Sequence, residues 1–426
     1  MKNVLWRQAQ SGCPAQRFWR DAMLTDVVTL GSAATRGLGA LAADSLGDLV
    51  GASLPFRPQQ VCRADTMNRL LREGAVRPWP RPPAVTAVRR QPVPAVSSNC
   101  QNLVLDLEQS GPALLPDSVF VKLPMEQLAT RWFMGIMRSW RLESHFFRHV
   151  AGDLPLRTPV TYATAWRGTR FYLIQENLRQ DPGVELFVNP DMASGPSLAL
   201  VRRCLDAFAC LHACHVHLDP VARAAILPLT YHPFLSPRLG RVSRALNSLA
   251  LRPCLDKRPG VIPPEVAAAY RRSIDNWDRL LQFWFSGPLS LLHGDSHLGN
   301  FFVSGDAMGM LDWQAAHWGK GVRDVQYFLI DSLPRPLLEA HERELVDYYV
   351  ERRAAHGAPV DAAATWQEYR AFTFHTLFTI VVAVGFGALN EEQDALMTEI
   401  LGRAVAAVQR VDYASWLEEY LGAAMR

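Results

Sequence analysis

Apolar residues cluster or alternate over strand length in AVTAVRR, NLVLDLE and SVFVKLP, and the turn-rich stretches PVPAVSSNCQ and SGPALLPD separate them. A period of two places one face of each segment in a core, so the pattern predicts three antiparallel strands between residues 84 and 124. The spacing turns helical in RWFMGIMRSWRLESHFFRHVAG and returns to strand in TPVTYATAWRGTRFYLIQENL, around a turn at 167–169. From Leu198 onward helical periodicity dominates, through LALVRRCLDAFACLHACHV, PPEVAAAYRRSIDNWDRLLQFWF, FTFHTLFTIVVAVGFGA and EILGRAVAAVQRVDYASWLEEYL. Segregated strands followed by helices predict an α+β chain, with a small antiparallel-sheet lobe and a larger, mainly helical one.

Ahead of the first strand, LGALAADSLGDLVG and MNRLLREG carry Leu and Val at helical spacing. Pro78, Pro80, Pro82 and Pro83 then form a stiff connector, because each fixes its backbone φ. The expected division is an N-terminal helical or irregular extension over 1–79, a sheet lobe over 80–177 and a helical lobe over 178–426. Between helices, the Ala- and Arg-rich stretch 352–364 reads as a loop.

Composition removes several classes. Lys plus Arg (44) nearly balances Asp plus Glu (41), for a net charge of +3. That balance gives no electrostatic footprint for nucleic acid. Seven cysteines without repeated spacing form no disulfide framework and point to a reducing cytoplasm. The first twenty residues contain no apolar run of signal-peptide length. The most apolar stretch, 372–388, is interrupted by His375 and by Thr373, Thr376 and Thr379, which predicts a buried helix and no membrane span.

Candidate chemistry concentrates in LSLLHGDSHLGNFFVSGDAMGMLDWQAAHWGKGVRDVQYFL, residues 289–329. An apolar run delivers His-Gly-Asp onto a loop, FFV follows as a second strand, and GML after a turn delivers Asp312. The ends of this hairpin are expected to bring Asp295, Asn300 and Asp312 near one point. Phosphoryl transfer uses such a grouping, with one carboxylate for the proton of the attacking hydroxyl and oxygen ligands that hold Mg against phosphates. Lys122 in the strand VFVKLP, with Glu143 one helix downstream, matches the lysine–glutamate pair that contacts ATP phosphates.

These residues resemble the aminoglycoside phosphotransferase and choline kinase-like family, especially its ecdysteroid kinase-like branch. HGDSHLGN, LDWQ, Gly319 and Asp324 fall in the order and spacing of its motifs, and Glu143, Phe146 and Phe147 match its helix glutamate followed by aromatics. The resemblance implies a protein kinase-like fold with ATP and Mg as cofactors. It further implies Asp295 as catalytic base, Asn300 and Asp312 as Mg ligands, and His293 and Asp324 as braces of the loop. Phe171–Leu178 would be the hinge strand whose backbone meets adenine, with Gln175, Glu176 and Asn177 along that edge.

The loop between the first two strands lacks the glycines of the relatives. Ser97, Ser98 and Asn99 are its candidate phosphate donors, against the alternative of a plain hairpin loop. His297 has two readings as well: contact with the transferring phosphate, or a local hydrogen bond that shapes the loop. CLHACHVH offers Cys210, His212, Cys214, His215 and His217, yet no second ligand pair of zinc-finger spacing follows. The resemblance places its Leu-His-Ala beneath the catalytic loop instead.

A small-molecule kinase is the function these residues imply. The expected acceptor is a neutral or lipophilic alcohol, because the candidate wall 372–389 is rich in Phe and Val. Glu391, Glu392 and Asp394 keep an aminoglycoside or choline-type acceptor open. A non-catalytic kinase-like binding protein is the other class, favoured by the glycine-free loop. His-Arg-Asp, Asp-Phe-Gly and Ala-Pro-Glu segments are absent, which argues against a protein kinase.

Overall fold

The computed structural model describes residues 14–49, 53–92, 100–228, 240–387 and 390–423. Strands β1 (Val85–Gln91), β2 (Cys100–Gln109), β3 (Ser118–Pro124), β4 (Thr161–Arg167) and β5 (Arg170–Glu176) form one antiparallel sheet in the order β1-β2-β3-β5-β4. The turn between the last two falls at Gly168, whose φ of 59° suits a residue without a side chain.

Helices α1 (Pro14–Leu49), α2 (Pro58–Val61) and α3 (Ala64–Glu73) precede the sheet. Residues expected outside the sheet lobe pack as part of it. Met67, Leu70 and Leu71 of α3 share a core with Leu103, Val119, Val121 and Ile174. The Tyr172 hydroxyl donates to the Leu70 carbonyl at 2.8 Å. Gly74 ends α3 with a negative φ, so its glycine answers a close approach: a Cβ would fall on the Tyr172 hydroxyl. The chain then pairs with the edge of β4, where the Val76 amide donates to Tyr162 O at 3.1 Å and the Thr164 amide to Gly74 O at 2.9 Å.

The single helix expected after β3 is two, α4 (Leu128–Met137) and α5 (Ser139–His149), separated by Arg138 at φ 58°. That left-handed residue redirects the chain, so α4 lies on α1 while α5 packs on β4 and β5. Buried Asp44 holds α1 in place, accepting from Arg131 Nη2 at 2.8 Å and from the Thr169 amide.

Beyond the sheet come α6 (Asn189–Ser194), α7 (Leu198–Ala213), α8 (Pro220–Ile226), α9 (Gly240–Lys257), α10 (Pro264–Asp275), α11 (Trp277–Trp284), α12 (Val322–Ser332), α13 (Arg335–Ala355), α14 (Ala362–Phe386), α15 (Glu391–Arg410) and α16 (Tyr413–Ala423). The fold is the expected α+β arrangement, with a sheet lobe and a larger helical part. α14 runs through the core: Phe374 stacks on Tyr413 at 5.4 Å, and Trp277 and Trp284 pack on Phe378 and Phe372. It is long and apolar enough to cross a membrane, but 72% of its most apolar window is buried inside the protein.

Short strands frame the loops between these helices. β6 (Val184–Leu186), β8 (Phe301–Ser304) and β9 (Ala307–Met310) form one sheet, and β7 (Ser290–Leu292) pairs with β10 (His317–Gly319) in another. The run before His293 is therefore not a third strand beside the hairpin. Its amide and carbonyl groups are taken by the chain that returns after Asp312, which fixes both ends of the segment carrying the motifs.

Candidate active site

Asp324, fully buried in the first turn of α12, gathers the loop after β7. Its carboxylate accepts from the His293 amide at 2.6 Å and the Gly294 amide at 3.0 Å. Ser296 Oγ lies 3.3 Å from the same carboxylate, and His212 Nε2 lies 3.3 Å from its other oxygen. Burial alone would raise this carboxyl's pKa, but the His212 hydrogen bond and the charges of His212 and Arg323 hold it well below 3.8. His212 is in turn oriented by the Tyr349 hydroxyl at 2.9 Å. His212, the first histidine of CLHACHVH, thus lies beneath the loop.

His293 joins the loop to the segment carrying Asp312. Its Nε2 meets Leu311 O at 2.7 Å, and its Nδ1 accepts from the Asp295 amide at 3.3 Å. Those partners require the proton on Nε2 and a neutral ring, in line with burial, which pulls its pKa down. Trp313 continues the connection toward the sheet lobe, 4.6 Å from the His293 ring and stacked on Phe146 at 4.2 Å. Gly294 has φ +87°, and a Cβ there would strike the Ala315 carbonyl.

Two groups of side chains meet around this frame. In the first, Lys122 Nζ donates to Glu143 Oε1 and to Asp312 Oδ1, each at 2.9 Å. Burial by itself would lower the lysine's pKa; the charges of Asp312 and Glu143 overcome it and hold the ammonium firmly protonated. Asp312 adopts φ 54°, a strained conformation for a residue with a side chain, and one that turns its carboxylate toward the ammonium. Glu143 Oε2 is buried with no hydrogen-bond partner among the described residues.

In the second group Asn300 donates its amide to Asp295 O at 2.7 Å and contacts His297 Nε2 at 3.2 Å. Those contacts direct the amide nitrogen into the loop. His297 Nε2 lies 4.0 Å from Asp295 Oδ1, and the Tyr327 hydroxyl lies 3.5 Å from that same oxygen. The groups are linked through the backbone, since the Leu311 amide donates to Asn300 O at 2.8 Å. Asn300 Oδ1 and the second oxygen of Asp312 receive no hydrogen bond from the described residues. One carboxylate and one amide oxygen without protein donors suit a hard cation such as Mg.

At the hinge the side chains turn away from their expected edge. Gln175 Nε2 donates to Thr161 Oγ1 at 2.9 Å, Glu176 takes Arg157 at 2.5 and 3.0 Å, and Asn177 donates to Ser118 Oγ at 2.9 Å. Side-chain hydrogen bonds and the ion pair claim these polar ends. Ser97, Ser98 and Asn99 lie outside the described residues.

The apolar acceptor wall expected over 372–389 is also corrected. Phe372, Phe374 and Phe378 are buried in the helical core, because the aromatic side chains of neighbouring helices enclose α14. What faces the loop carrying Asp295 is polar. Arg323, Tyr327 and Asp331 form an i, i+4, i+8 stripe on α12, and Arg323 Nη2 contacts Gly294 O at 3.2 Å and His375 Nε2 at 2.7 Å. The stripe was not among the expected site residues, although its spacing is visible in RDVQYFLID.

Asp331 carries a testable consequence. Burial raises its carboxyl from 3.8 to about 6, with the nearby charges of His297 and Asp295 acting in opposite directions. Between those values the folded chain keeps a proton that the unfolded chain has released, so stability falls as pH rises through the window. Asp331→Asn is expected to raise the unfolding free energy at pH 8 by about 1–3 kcal/mol and to leave it unchanged near pH 3. Urea titrations at both pH values would measure this, and equal effects at the two would rule the account out.

The sequence model of the phosphotransferase enzyme family matches residues 137–372, more than half of the chain and inclusive of every motif from Glu143 to Asp324. Lys122 lies outside that match. No curated protein matches the chain in sequence. Among solved structures, the chain is similar to a choline/ethanolamine kinase family protein from Mesorhizobium loti, at 14% identity and TM-score 0.42, over 76% of this chain and 93% of that one. It is similar also to an ethanolamine kinase from Plasmodium vivax, at 11% identity and TM-score 0.45, over 76% and 84%. For a choline kinase from Streptococcus pneumoniae the values are 11%, 0.42, 77% and 94%.

Proposed function

We propose, from the premise that this chain belongs to the phosphotransferase enzyme family and acts on small-molecule hydroxyl groups, that it moves the γ-phosphate of ATP onto a neutral alcohol. The observation that carries this reading is the Lys122 contact with both Glu143 and Asp312, beside a loop holding Asp295 and Asn300. A lysine so held presents a fixed positive charge to the phosphates. Asp295 accepts the acceptor hydroxyl's proton as its oxygen bonds to phosphorus, while the bond from phosphorus to the ADP oxygen breaks and leaves its electron pair on ADP. Tyr327 limits the rotation of that carboxylate, and His297 holds the Asn300 amide.

Asn300 Oδ1 and the Asp312 carboxylate would hold Mg, which supplies neutralisation of phosphate charge when bound. We take residues 54–177 as the nucleotide lobe and 178–423 as the part that receives the acceptor. For the acceptor itself, the groups near Asp295 are Tyr327 and His297, with the Asp331 carboxyl buried. A polycation wants several exposed carboxylates near the reacting centre. Glu391, Glu392 and Asp394 instead occupy the first turn of α15, where they complement its dipole.

The test is ADP release by the purified full chain with ATP and Mg, against neutral alcohols, choline and kanamycin. Turnover is expected with a neutral alcohol. Sustained kanamycin phosphorylation in its place would overturn the acceptor class, and nucleotide binding without turnover of any acceptor would favour the non-catalytic class.

A further inference from the structure

A cavity of about 560 Å³ lies between residues 76–80, the end of α5 and the loop that leads into β4. None of the catalytic or Mg-binding candidates lines it. Its volume falls in the range of small-molecule sites, roughly 300–1,000 Å³. Three arginines line it, Arg77, Arg148 and Arg157, and no carboxylate does.

The three differ in what compensates them. Arg157 is neutralised by Glu176. Arg148 donates to two backbone carbonyls, Gly74 O at 3.0 Å and Thr164 O, which satisfy hydrogen bonds without cancelling charge. Arg77 makes no hydrogen bond or ion pair among the described residues. Its Nη2 lies 3.7 Å from where a Cβ on Gly152 would stand, so the guanidinium extends over a residue with no side chain. The cavity thus presents two guanidinium groups that form no ion pair with a carboxylate among the described residues.

Its other wall is aromatic. Trp79 and Tyr162 stack at 6.4 Å with 21° between their planes, and Trp79 Nε1 donates to Leu71 O at 2.7 Å, which fixes the indole. Arginine forks match phosphate oxygens, and aromatic faces take an apolar body. We infer that this cavity is a second ligand site, taking a phosphate monoester of an apolar alcohol through Arg77 and Arg148, with its body against Trp79 and Tyr162. Two charges on the ester match the two guanidinium groups. The site stands independently of the reaction proposed above.

The probe is phenyl phosphate, titrated calorimetrically into the full chain with ADP and Mg saturating the nucleotide site. One site per chain is expected. Arg77→Glu, at an exposed position outside the catalytic machinery, is expected to weaken binding by about 10- to 100-fold with an unchanged melting temperature. Arg77→Lys should keep most of the affinity, and benzoate, with one charge in place of two, should bind more weakly. Benzyl alcohol, which has the body without the charge, should not bind. Absence of phenyl phosphate binding would overturn the inference, as would equal affinity in Arg77→Glu, equal affinity for benzyl alcohol, or loss of binding in Asp295→Asn, which would place the ligand in the catalytic cleft.

Discussion

Asp295→Asn is expected to lower kcat by about 10²- to 10⁴-fold, the range lost when a positioned proton acceptor is removed. Asparagine keeps the shape of the side chain and its contact with Tyr327, and the Asp295 backbone groups that bind Asn300 and His293 are unchanged. The loop should therefore hold its form. Because Lys122, Glu143 and Asp312 make their contacts without Asp295, nucleotide affinity should stay within about twofold, well under the 1.4 kcal/mol that marks a tenfold change. ADP release with the best acceptor would give kcat, and calorimetry would give affinity. A variant that retained a tenth or more of the wild-type rate would remove Asp295 from the role of base.

Lys122→Met should be the most damaging single change in the first group of side chains. It leaves Glu143, 1% exposed, and Asp312 close together without the cation they share. Breaking a buried pair by removing one partner costs about 3–5 kcal/mol, because the remaining charge has neither water nor counter-ion. The exposure of Asp312 places the expectation at the lower end. Activity should fall as well, since the phosphates lose their fixed positive charge. Adding Glu143→Gln separates the effects: the double variant should recover stability in urea titrations and remain inactive. Recovery of both would mean that Lys122 serves the fold alone.

The segment from His293 to Asp324 was legible because its residue types and spacing are local. Loop length and strand length set Asn300 and the segment before Asp312 at adjoining ends of one hairpin, where the Leu311 amide donates to Asn300 O, and the short spacing from Asp295 lets Asn300 donate to its carbonyl. The hinge was legible as a strand and misread in its side chains, since Gln175 and Asn177 bond to Thr161 and Ser118. Those partners are set by strand register, which the pattern of one strand does not contain. The acceptor wall failed for a related reason. Phe374 and Phe378 show apolarity, but not that Tyr413 and Trp277 would enclose them.

By itself, then, the amino-acid sequence determined the α+β class, the antiparallel strands, the helical second part and the strand-and-loop layout of the motif from His293 to Asp324, all of which follow from short-range periodicity and loop geometry. Tertiary structure decided which polar groups became partners. It set Lys122 between Glu143 and Asp312, wrapped the loop amides around Asp324, placed Tyr327 against Asp295 and joined α3 to the sheet core. Each depends on groups tens to nearly two hundred residues apart. Burial alone would lower the pKa of Lys122 and raise that of Asp324, and the charged neighbours that the fold supplies reverse both shifts.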